Sequence, residues 1–150
     1  MFISVLSGGL TVFTILMGVA VIHQWYKPAV TAAKDPTPLT PEQWFILGVF
    51  IAFVGQVLDN SYWLVAWTFN YFSESAVITQ WLFDNGVMVN IPFRQVVGIS
   101  AAYCHVKAAI GAYTIKTIRF RAYMFTSAVA GVLFSMWMVF AKSHYPISVI

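Results

Sequence analysis

Hydrophobic positions along this chain gather into four long runs, and polar positions gather into the stretches between them. The first run, 2–22, has no formal charge. At about 1.5 Å of helical rise per residue it crosses a hydrocarbon core of about 30 Å. A cleaved leader would open on basic residues, and none precede this run, so a retained anchor is expected. Ser7, Thr11, Thr14 and Gly18 fall on one helical face, a stripe suited to close helix contact. His23 to Pro28 reads as an interfacial stop that opens a proline-containing connector over 23–43. Its end is a helix start: Thr40 can cap, Pro41 suits the first helical position, and Gln43 completes a capping box.

The second run, 44–72, is long enough to span with tilt or to protrude. Gly48, Ala52, Gly55, Asp59 and Tyr62 share one helical face; Gln56, Asn60, Trp63 and Trp67 share the next, about 100° away. Asp59 thus lies on a face of small residues, where another helix is expected and lipid is not. The stretch 73–95 admits two readings. One is a short interfacial helix ended by Gly86 in a left-handed cap. The other is a hairpin turning at Asn85-Gly86, with Pro92 holding its second strand at an edge. An isolated hairpin is marginally stable, so the helix is preferred.

The third run, 96–115, puts Gly98, Ala101, His105, Ala108 and Ala112 on one face and Ser100, Cys104, Lys107 and Gly111 on another. The fourth, 122–141, carries Ser127, Gly131 and Ser135 at four-residue spacing. Lys142, His144, Tyr145 and Pro146 read as a closing interface. The expected fold is therefore an all-α integral membrane protein, a single polytopic domain of four transmembrane helices, with aromatic side chains at its interfaces.

Composition agrees. Apolar residues make up 60% and charged residues 9% of the chain, and charges so sparse cannot cover a water-facing surface. A net charge of +3 without a basic run gives no footing for nucleic acid. Lys27, Lys34, Lys116, Arg119 and Arg121 fall in the first and third connectors, Arg94 and Lys142 on the other side. The excess predicts cytoplasmic connectors and both termini on the non-cytoplasmic side.

The candidate chemistry is a buried polar cluster of Gln56, Asp59, Asn60, His105 and Lys107. Counted from the ends of their runs, Asp59 lies roughly 20 Å deep, and His105 and Lys107 roughly 14–17 Å. Asp59 is expected to pair with Lys107, a structural joint between the second and third helices. His105 reads first as a hydrogen-bonded packing residue. Haem would want a second histidine at matched depth, and His23 and His144 sit near helix ends. Adjacent Cys104 and His105 do not form a zinc site, and no metal or cofactor is expected. Neither a nucleophile motif nor a phosphate loop is present, so no enzyme is predicted.

The functional expectation is a protein that works by packing, as an accessory subunit of a larger membrane assembly or a homo-oligomer. Its partners would be the bilayer, other membrane subunits or its own copies. Gly48, Ala52, Gly55, Ala101, Ala108, Ser127, Gly131 and Ser135 would carry the helix contacts. One alternative is an oligomeric pore or a proton or ion path through Asp59, His105 and Lys107. A weaker one is a redox or pigment-binding subunit, suggested by the aromatic excess.

Overall fold

A computed structural model describes residues 2–34, 37–72 and 76–140, and their side chains outside 2–8, 76 and 87. It holds five α-helices: α1 (Phe2–Lys34), α2 (Pro41–Phe72), α3 (Ala76–Asn85), α4 (Ile91–Ala112) and α5 (Ile118–Phe140). Between α3 and α4, Gly86–Asn90 forms a π-helical turn. No strand occurs among the described residues. Three helices, α1 from Gly9, α2 and α5, are long and apolar enough to cross a membrane. The fourth long helix, α4, is diluted by Arg94, Gln95, His105 and Lys107.

Each long helix packs against the one before it as an antiparallel neighbour. Along α1 and α2, Trp25 meets Phe45 while Thr14 meets Asn60. Along α2 and α4, Phe45 meets His105 while Asp59 meets Arg94. Along α4 and α5, Tyr113 meets Phe125 while Arg94 meets Met138. The order in space is α1, α2, α4, α5, with α2 also touching α5 through stacked Phe53 and Phe134. Helix α1 rests chiefly on α2, and its far side is open.

Small residues make these contacts close. A Cβ on Gly18 would strike Val57, and one on Gly55 would strike Val97. A Cβ on Gly111 would come within 2.9 Å of the Pro41 ring. Ala52, Ala101 and Ala108 are buried among the same helices. The stripe on α5 is less uniform: Ser135 is fully buried and Gly131 is in contact, whereas Ser127 is only half-buried.

Several boundaries move. Helix α1 does not stop at 22 but runs on to Lys34 with Pro28 inside it. Ala29 and Ala32, almost wholly buried, give the continuation a packing reason that outweighs the proline. Helix α2 begins at Pro41, and its capping box is formed: Thr40 N donates to Gln43 Oε1 at 2.9 Å, and Gln43 N to Thr40 Oγ1 at 3.2 Å. Helices α4 and α5 occupy 91–112 and 118–140 in place of 96–115 and 122–141.

The stretch 73–95 is helical from Ala76, and no hairpin forms. Gly86 is no left-handed cap, since no glycine has a positive φ. The helical backbone runs through it into the π turn and on into α4. Its smallness serves another end: a Cβ there would lie 2.8 Å from the Tyr62 ring and 2.9 Å from that of Trp63. Tyr62 donates its hydroxyl to the Leu82 carbonyl at 2.6 Å, and Trp63 packs on Phe83. Helix α3 therefore folds back along the C-terminal end of α2. The closing residues Lys142 to Pro146, Ala141, Asp35, Pro36 and 73–75 lie outside the described residues.

Candidate functional site

Asp59 and Arg94 form the one ion pair among the described residues, Oδ2 to Nη1 at 3.8 Å, with both side chains about one-tenth exposed. The π turn delivers a second partner, Asn90, whose amide donates to Asp59 Oδ1. Asn90 and Arg94 stand four residues apart and so project from the same side of the helix. Arg94 also reaches α5, donating to the Met138 carbonyl from Nη2 at 2.9 Å and from Nε at 3.3 Å. Met138 lies in the last turn of α5, where the helix dipole favours a cation.

On the other side of α2 the polar contacts continue. Gln56 Nε2 donates to Asn60 Oδ1 at 3.0 Å, and Asn60 Nδ2 to Thr14 Oγ1 at 3.0 Å. Thr14 in turn donates to the Thr11 carbonyl at 2.8 Å. At this one level, side chains from α1, α2 and α4 and a carbonyl of α5 are tied across the full width of the row.

Lys107 is not the partner of Asp59. It stands thirteen positions beyond Arg94, roughly 20 Å along α4, and is exposed with Nζ 5.5 Å from the Tyr103 ring centroid. Neither does His105 share the depth of Asp59. It is 1% exposed and faces Gly48 and Phe45 of α2, eleven or more positions from Asp59. The depth count from residue 96 misplaces both, because the helix comes in through the π turn and its first turns already lie against α2.

His105 forms a second buried node. Its ring fits a slot between two glycines: a Cβ on Gly48 would lie 2.8 Å from Cε1 and Nε2, and one on Gly131 would collide with the ring. Ser135 Oγ donates to the Gly131 carbonyl at 2.8 Å and lies 3.4 Å from His105 Nδ1. The hydroxyl proton is used at Gly131, and the direction of the 3.4 Å contact is set by the imidazole tautomer. Nε2 is buried and has no hydrogen-bond partner among the described residues. Cys104 beside it is buried and free.

An apolar layer separates the two nodes. Ala52, Ala101 and Met138 are buried together and flanked by Ile51 and Val97. On α2 and α4 these positions fall between the level of Asp59 and Arg94 and the level of His105. The polar groups thus lie in two sets across the row, with hydrocarbon between them along it. No group of three or more His, Cys, Asp or Glu with metal-binding geometry occurs among the described residues.

Asn90 and Arg94 were not singled out by sequence reasoning, which read Arg94 as a connector charge. The spacing Asn90-x-x-x-Arg94 was the available clue, and the turn-like Asp84-Asn85-Gly86 obscured it. The chain matches no known family model, no curated protein and no solved structure.

Proposed function

We propose that this chain is a four-span integral membrane protein whose work is done by packing, as an accessory subunit or with copies of itself. Helix α4 counts as the fourth span because α2 and α5 cover it on two sides and because Arg94 is neutralised within the row by Asp59. Large apolar side chains stand exposed on all the long helices, among them Leu16, Val65, Ile110 and Leu133. The antiparallel order gathers Lys27, Lys34, Lys116, Arg119 and Arg121 at the end of the row where α1 and α4 finish. With Arg94 inside, the opposite end of the row has no comparable basic group among the described residues, so the Lys- and Arg-rich end is assigned to the cytoplasm and both termini to the other side.

The observation that carries the packing role is the use made of the buried charges. Asp59 and Arg94 engage each other, Asn90 and a carbonyl, so they tie helices together. The layer of Ala52, Ala101 and Met138 supports the same reading, since it breaks the polar route that a proton path within one chain would need. The open side of α1 is the surface that further packing would cover. Extraction in a mild detergent followed by native mass measurement tests the role: an oligomer or a defined complex is expected. A stable lone chain would overturn it.

A pore remains a reading for an assembly of several chains, with its lumen between copies. Liposomes carrying the protein would then leak, and closure of that leak by changes on the outer face of α1, with Asp59→Asn inert, would favour it over the packing role.

A further inference from the structure

On the outer face of the α4–α5 pair, two apolar grooves of about 230 and 270 Å³ meet at Tyr113 and Phe125, which line both. The first runs between Val106 and Ile110 of α4 and Val129 and Leu133 of α5 and has no polar lining. The second ends at Arg121. From Arg121 to Leu133 the path along α5 is roughly 18 Å, close to the depth of one leaflet, about half of a 30 Å core.

The head of this path is basic. Lys116 and Arg119 are exposed in the turn and at the start of α5. Arg121 is held by its own Nε, which donates to the Ile115 carbonyl at 2.9 Å, and the residue lines the second groove. No ion pair engages these three among the described residues, and no acidic residue follows Asp84 in the sequence. Glu42, in the first turn of α2, is the acidic residue described at this end of the row. An apolar trough one leaflet long with a positioned, unneutralised arginine at its mouth complements one kind of molecule.

We infer that the α4–α5 groove binds an anionic phospholipid, with an acyl chain along Val106 to Leu133 and the phosphate at Arg121 and Lys116. Arg121 supplies directional N–H donors that suit a phosphate, and Lys116 adds charge. This site rests on the membrane reading above, and its test separates the two. If the expressed protein does not sediment with membranes, the membrane reading fails before any lipid is added.

The test is native mass measurement of detergent-purified protein mixed with equal amounts of phosphatidylglycerol and phosphatidylcholine of identical chains. One phosphatidylglycerol per chain is expected to be retained preferentially. The preference should fall by about fivefold for each of Lys116→Gln and Arg121→Gln, as expected for one basic residue near an anionic surface. Arg121→Gln also removes the contact to Ile115, so Lys116→Gln, which changes only an exposed side chain, guards against misfolding as the cause. Ala109→Trp, which fills the first groove, should lower retention of both lipids. Inorganic phosphate should not displace the bound lipid. Equal retention of the two lipids, a preference untouched by both glutamine variants, or displacement by phosphate alone would overturn the inference.

Discussion

Asp59 Oδ2 lies 3.8 Å from Arg94 Nη1, and this contact joins the middle of α2 to the first turn of α4. Asn90 binds the other carboxylate oxygen, and Met138 takes the remaining reach of the guanidinium. Removing either charge strands the other in a buried site, so Asp59→Ala or Arg94→Ala should each cost about 3–5 kcal/mol. The pair Asp59→Leu with Arg94→Met should recover most of that loss. Lys107→Ala, which touches neither, should stay within about 0.5 kcal/mol of the parent. Unfolding curves of the four variants in one detergent check the set, and a large effect at Lys107 would count against the geometry.

Asn90 is a neutral partner of Asp59. Asn90→Ala removes a hydrogen bond to a charged group and should cost about 1.5–3 kcal/mol. Asn90→Asp sets a second carboxylate against Asp59 and should be worse than alanine at neutral pH. A milder loss for aspartate than for alanine in the same unfolding assay would mean that Asn90 does not face Asp59.

The slot around His105 predicts coupling between helices. Gly131→Ala and Gly48→Ala should each destabilise by about 1–3 kcal/mol through overpacking. In a His105→Ala background the same changes should cost much less, because the ring they strike is gone. A double-mutant cycle measures this, and additive effects would place the ring elsewhere.

Thr14 and Asn60 add one neutral hydrogen bond to the packing of α1 on α2. Thr14→Val should cost about 0.6 kcal/mol, the usual size for such bonds between membrane helices. Comparing it with Asp59→Ala ranks the two joints, and a loss as large as that of Asp59→Ala would make α1 far more tightly tied than its contacts suggest.

Local signals were legible in the sequence wherever chemistry and position were adjacent along the chain. The capping box at Thr40 to Gln43 formed with both reciprocal bonds, and the small-residue face around Asp59 did meet another helix. What escaped was long-range. The partner of Asp59 depended on where α4 begins, and its beginning depended on Gly86, whose bare Cα can mean a left-handed turn or a close approach to rings. Only Tyr62 and Trp63, distant in sequence, decide between these. Pro28 misled in the same way, since the burial of Ala29 and Ala32 that sustains α1 belongs to its contacts and not to its composition.

The π turn over Gly86–Asn90 works as a phase shifter. One residue more than an α-helix needs is about 100° of rotation, and that rotation lets one continuous helix aim Phe83 at Trp63 above the turn and Arg94 at Asp59 below it. Length and aim are thereby separated: a chain one residue shorter in this turn would rotate α4 by about 100° relative to α3, so that Phe83 and Arg94 could not both face α2. The seam between α2 and its antiparallel partner is therefore specified by a count of residues as much as by their kinds.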